Sequence, residues 1–173
     1  QYLVTGAAGF IGSHFIRGLV TGAFGDASEV TALDKLTYAG NPANIADCRS
    51  DIRFVHGDIC DGELLDQLIT GQDIVVNFAA ESHVDRSIVQ ASEFMRTNVL
   101  GLQTLLDACR RHETPRIVHI GTDEVYGSVE AGRCTESASL RPSSPYAASK
   151  ASAELLVHSY AHTFGTVSYT HLT

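Results

Sequence analysis

The sequence predicts an α/β fold, a doubly wound parallel sheet with helices on both faces. Three observations carry this: short apolar runs recur along the 173 residues, helical patterns stand between them, and a glycine-rich turn follows the first run. The runs are Tyr2 to Thr5, Val30 to Leu33, Ile52 to Val55, Ile74 to Phe78 and Arg116 to Ile120. Their hydrophobicity is nearly continuous, the pattern of parallel strands buried on both sides. Parallel neighbours need crossovers, and helical repeats supply them. Ile11, Phe15 and Leu19 follow the first run, while Asn98, Leu102 and Leu105, with Leu106 and Cys109 on the same side, precede the last. Gly40-Asn41-Pro42, Asp61-Gly62, Thr70-Gly71 and the stretch from Pro142 to Pro145 break the periodic segments as loops. Without an internal repeat or a linker, residues 1–165 form one domain. Residues 166–173 are set apart as an atypical tail, read as a truncation artefact.

Composition narrows the function. At 44% hydrophobic and 18% charged the chain is globular. Twelve basic residues, scattered, against twenty acidic ones give a net charge of -8, which argues against a nucleic-acid partner. No apolar run approaches the roughly eighteen residues of a membrane span and no signal-peptide order opens the chain, so it reads as soluble and cytoplasmic. Cys48, Cys60, Cys109 and Cys134 lie far apart without a C-x-x-C pair, and His158 and His162 lack a third ligand, so no metal or disulfide framework is expected.

The turn Gly6-Ala7-Ala8-Gly9-Phe10-Ile11-Gly12 lies between the first strand and an amphipathic helix. Glycines there let the backbone approach a pyrophosphate at the positive end of the helix. Asp34 closes the second strand, 22 positions after Gly12, where a carboxylate accepts from ribose hydroxyls and repels an extra phosphate. NAD is therefore expected over NADP, although Lys35 beside it offers a cation that a phosphate could use. Asp58-Ile59 after the third strand is suited to an adenine amino group and ring face, or Asp58 simply caps the next helix.

Tyr146 and Lys150, four apart at the start of a helical run, project from one face, where the ammonium is expected to lower the phenol's pKa and make it a base for an alcohol. Gly121-Thr122-Asp123-Glu124-Val125-Tyr126-Gly127 follows the fifth strand and puts a hydroxyl and two adjacent carboxyls at the carboxyl edge of the sheet. Such a pair divides acid and base work when its pKa values separate; the alternative is a solvated acidic loop.

Taken together, the Gly6 to Gly12 turn, Asp34-Lys35-Leu36-Thr37-Tyr38-Ala39-Gly40-Asn41, Ala79-Ala80-Glu81-Ser82-His83-Val84-Asp85-Arg86-Ser87, the run from Thr122 to Gly127 and the Tyr146/Lys150 pair closely resemble the dTDP-glucose 4,6-dehydratases, extended short-chain dehydrogenases/reductases. The resemblance runs from the first residue to about Gly165, and its Asp34 and Glu81 segments are more specific than the glycine turn. It implies a Rossmann-type fold and NAD contacts from Gly6, Gly9, Phe10, Ile11, Gly12, Asp34, Lys35, Leu36, Thr37, Asp58, Ile59, Phe78, Ala79, Ala80, Glu81, Ser82, Thr97, Tyr146 and Lys150. Ser82 and Thr122 would also face the sugar of dTDP-glucose, with Tyr146 as base in oxidation at C4, Glu124 taking the C5 proton and Asp123 assisting departure of the C6 hydroxyl. Thr122, Asp123, Glu124, Tyr146 and Lys150 form the implied catalytic set. A UDP-glucose 4,6-dehydratase, a UDP-sugar 4-epimerase, a UDP-glucuronate decarboxylase and a non-catalytic NAD-binding module are the alternatives. The resemblance also implies a homodimer at full length and a further C-terminal substrate region, largely absent here. Alone, the chain is expected to bind NAD weakly and turn over no sugar nucleotide. Both ends read as cut, since Gln1 opens directly into a strand.

Overall fold

In the computed structural model, residues 1–25, 27–114, 116–129, 132–165 and 168–171 are described. Six parallel strands form one sheet in the order β3-β2-β1-β4-β5-β6, with β1 Tyr2–Thr5, β2 Val30–Asp34, β3 Arg53–His56, β4 Ile74–Asn77, β5 Arg116–Ile120 and β6 Ser168–His171. β1 lies at the centre, Leu3 between Thr31 and Val75, so the order reverses between β1 and β4. In open α/β sheets that reversal opens a crevice at the carboxyl ends of the strands.

The strands have two dressed faces. Leu3, Leu33, Val75 and Ile117 point to one side and pack on α2 (Gly62–Ile69), α5 (Leu102–Arg111) and α6 (Pro145–Phe164) through Leu65, Leu105, Leu106 and Val157. Val4 and Ala32, the chain neighbours of Leu3 and Leu33, turn to the other side, against Ile16 and Leu19 of α1 (Phe10–Val20) and Ile45 of the 3-10 helix Pro42–Asp51. Fully burying one such leucine stabilises the fold by about 1.5–3 kcal/mol.

On α1, Ile16 is fully buried, whereas Ile11, on the first turn and lining the crevice, is 50% exposed. Several loop signals prove to be caps. Asp61 accepts from the Leu64 N–H at 3.0 Å, Asn41 accepts from Ala43 at 3.0 Å, and Ser144, ahead of Pro145, accepts from Ala147 at 3.0 Å. α3 (Val84–Val89) and α4 (Ala91–Phe94) lead into a π-helical stretch, Met95–Gly101, that continues as α5. Within the sequence-defined tail, Ser168–His171 pairs with β5, while Thr166, Val167, Leu172 and Thr173 lie outside the described residues. Among the described residues, no helix is long and apolar enough to cross a membrane, and no group of three His, Cys, Asp or Glu could hold a metal ion.

Candidate functional site

The cleft at the strand reversal is assembled from the ends of β1, β2, β3, β4 and β5 together with the first turns of α1 and α6. Its floor depends on two glycines. Gly6 has φ +66, and a Cβ there would lie 2.6 Å from the Ala79 nitrogen and the Phe78 carbonyl carbon; at Gly12 it would lie 2.2 Å from the Gly6 oxygen. β1, β4 and α1 can approach this closely only without those side chains.

Asp34 closes the next wall. Its carboxylate accepts from the Ala8 N–H at 2.8 Å and from the Leu36 N–H at 2.7 Å, so the turn after β2 is tied to the glycine turn after β1. Lys35 forms an ion pair with Asp58 at 2.7 Å. Burial pushes the Asp58 carboxyl up, but the Lys35 hydrogen bond, the Cys60 N–H and the Lys35 charge outweigh it and hold it below the usual range. Thus Asp58 both meets Lys35 and turns back to its own backbone, accepting from Cys60 at 2.9 Å.

The loops after β2 and β4, the most distinctive sequence segments, meet each other. The Tyr38 phenol hydrogen-bonds Glu81, and the Arg86 guanidinium lies 4.0 Å above the Tyr38 ring. Asn98, in the π-helical stretch, clamps the second of these loops. Its Oδ1 accepts from the Glu81 N–H at 2.8 Å and its Nδ2 donates to the Glu81 carbonyl at 2.9 Å and to Ser149 Oγ at 2.9 Å. Sequence spacing places Asn98 only on a helical face, because the backbone it clamps is 17 positions away.

Of the residues assigned to the cofactor, Gly6, Gly9, Phe10, Ile11, Gly12, Asp34, Lys35, Thr37, Asp58, Ile59, Phe78, Ala79, Ala80, Glu81, Ser82, Thr97, Tyr146 and Lys150 line this cleft. Leu36 does not: with φ +54 it turns its side chain onto the core beneath α1. Leu33, Ala39, Gly40, Gly57, Ile120 and Gly121 line it as well. They were legible in principle, since most sit at strand ends.

Tyr146 and Lys150 face the cleft from the start of α6, both buried. Burial raises the Tyr146 pKa, a hydrogen bond from Thr122 pulls it down, and the charges of Glu124 and Asp123 raise it. This corrects the expected lowering by Lys150. The lysine Nζ instead donates to the Ile120 carbonyl at 2.5 Å and lies 3.4 Å from His119 Nε2, and burial lowers its own pKa to about 8. Thr122 is the N-cap of the 3-10 turn Asp123–Tyr126, its hydroxyl accepting from the Glu124 N–H at 3.4 Å. Asp123 and Glu124 are exposed on that turn, outside the cleft wall but close enough for their charges to act on the phenol.

A family model described as GDP-mannose 4,6 dehydratase matches residues 3–172. The chain belongs to that family. A dTDP-glucose 4,6-dehydratase of Streptomyces niveus is 52% identical over 170 residues, 95% of this chain and 50% of the relative. Among solved structures, a dTDP-glucose 4,6-dehydratase from Streptomyces venezuelae with NAD and TYD bound superposes with a TM-score of 0.97 at 53% identity, covering 99% of this chain and 54% of the other. A UDP-glucose 4-epimerase from Brucella ovis in complex with NAD reaches 0.87 at 29% identity, covering 99% and 50%. The chain spans about half the length of the curated relatives it matches.

Proposed function

We propose that the chain is the NAD-binding and catalytic part of a dTDP-glucose 4,6-dehydratase, a hydro-lyase that makes dTDP-4-keto-6-deoxyglucose. The observation that carries this reading is one cleft joining the glycine turn and Asp34 to Tyr146 and Lys150, with Thr122 on the phenol and Asp123 and Glu124 beside it. Relatives at about half identity with that activity support it.

The residues fit a dinucleotide. Gly9 keeps the start of α1 open to a pyrophosphate, Gly12 lets that helix close on the β1 turn, and Asp34 presents its carboxylate where ribose hydroxyls would lie. Lys35, paired with Asp58, is committed elsewhere than to a ribose phosphate, which favours NAD. Ile59, Phe78 to Ser82 and Thr97 would complete the contacts. When bound, NAD would supply the acceptor for the hydride from C4 and the donor for its return to C6.

Tyr146 takes the proton of the C4 hydroxyl, steadied by the Thr122 hydroxyl. The resulting ketone acidifies the C5 proton, Glu124 removes it, and Asp123 protonates the C6 hydroxyl as it leaves as water. Ser82 and Thr122 orient the sugar. A 4-epimerase needs only oxidation and hydride return, so the acidic pair favours dehydration. Cytoplasmic placement belongs to the same proposal, supported by four free cysteines, as does a homodimer at full length, supported by exposed Met95 and Leu100 on one helical stretch. The test is incubation of a full-length version with dTDP-glucose and with UDP-glucose, followed by mass and NMR identification of product. Formation of the 4-keto-6-deoxy product from dTDP-glucose is expected; a 4-epimer, or preference for UDP-glucose, would refute the assignment.

A further inference from the structure

α6 carries a third ionisable residue in register with Tyr146 and Lys150, one turn further on. Glu154 is 5% exposed, and its Oε1 is buried without a hydrogen-bond partner. A carboxylate held this way is costly unless its charge serves something nearby. Two groups of the site lie within its reach: the Thr122 backbone N–H, which donates to it, and Lys150, 3% exposed and outside ion-pair distance of any described carboxylate.

We propose that Glu154 is a positioning residue of the site, its carboxylate serving as the counter-charge of the buried Lys150 ammonium and as the anchor of the Thr122 amide. This rests on the proposed placement of Lys150 and Thr122 beside Tyr146. Burial drives Lys150 toward the uncharged amine, and its two polar neighbours are neutral: the Ile120 carbonyl and the His119 imidazole, itself held uncharged by burial and by Lys150. Glu154 alone among the charges acting on Lys150 favours the ammonium. Facing Glu154 are Lys150 and His158 on α6 and Tyr126 on the 3-10 turn, whose phenol is pushed up by burial and then by this carboxylate. At an effective protein dielectric a charge one helical turn away is worth about one pH unit to a buried lysine. Without Glu154 the ammonium is lost at lower pH and the Thr122 turn loses its tether.

The chain contains two lysines, Lys35 and Lys150, so lysine labelled with 13C at Cε gives two signals, one of them an internal control. In the 173-residue chain Lys150 should titrate near pH 8, and Glu154→Gln, which keeps an acceptor for the Thr122 amide, should lower that midpoint by about one unit while leaving Lys35 in place. Glu154→Met, apolar and of similar length, is a second neutral variant should the amide not fold, and Glu154→Asp should return the midpoint toward the wild-type value. In a full-length version the alkaline limb of NADH formation on the enzyme should move by the same amount. An unchanged or raised Lys150 midpoint in a folded neutral variant overturns the proposal. A lowered Lys150 midpoint with an unmoved alkaline limb of NADH formation would overturn Glu154 as a positioning residue of the site.

Discussion

Gly6→Ala tests whether the cleft is built on backbone contact between β1 and β4, and the chain contains its own control. Gly6 and Gly22 have similar positive φ values, +66 and +73, but a Cβ at Gly6 meets the Ala79 nitrogen at 2.6 Å while a Cβ at Gly22 meets nothing within 4 Å. Each alanine incurs a left-handed backbone penalty of roughly 1–2 kcal/mol. At Gly6 the clash is with main chain that cannot rotate away, adding about 1–3 kcal/mol of overpacking. The expected loss is therefore roughly 2–5 kcal/mol for Gly6→Ala and roughly 1–2 kcal/mol for Gly22→Ala, against a total stability of about 5–15 kcal/mol. Urea unfolding of the 173-residue chain, followed by far-UV circular dichroism, measures both. Equal losses would show that the strand approach at Gly6 is not as tight as described, and the account of the cleft floor would fail with it.

In a full-length version Tyr146→Phe should abolish the appearance of enzyme-bound NADH, whereas Glu124→Gln should still form NADH but slow the elimination of water; single-turnover absorbance at 340 nm separates the two, and equal loss of both steps in both variants would refute the division of roles. Leu105→Ala, at a fully buried position beneath the sheet, should cost about 2–5 kcal/mol in urea unfolding. His119 should lower stability in acid. Burial and the Lys150 charge depress its folded pKa, so below about pH 6.5 the unfolded chain binds a proton that the folded chain refuses, and stability falls by up to about 1.4 kcal/mol per pH unit. His119→Gln should flatten that slope in unfolding titrations between pH 5 and pH 7, and an unchanged slope would contradict the assignment.

The strands and the glycine-turn side of the cleft were readable because each signal is local: apolar runs of four or five residues, glycines at a strand-to-helix turn, an acid at a strand end. β1, β4 and β5 lie within a residue of the expected spans. What sequence spacing could not show depends on distant backbone. Asn98 clamps Glu81 from a π-helical stretch whose irregularity has no marked residue, and Leu36 turns inward because Asp34 captures its N–H. The pairing of Lys150 with Ile120 and His119 similarly spans some 30 positions, so the four-residue spacing of Tyr146 and Lys150 suggested a direct effect on the phenol that the folded chain does not show. Glu154 carried no motif at all; its buried Oε1 without a hydrogen-bond partner singles it out.

The most direct test of the account follows the hydrogen atoms. A full-length version should be given dTDP-glucose deuterated at C4 in ordinary water, and in a parallel reaction unlabelled dTDP-glucose in deuterated water. The C4 deuterium should reappear at C6 of a 4-keto-6-deoxy product, while solvent deuterium enters at C5. Loss of the C4 label to water, its return to C4, or a product retaining the C6 hydroxyl would contradict the proposed dehydration.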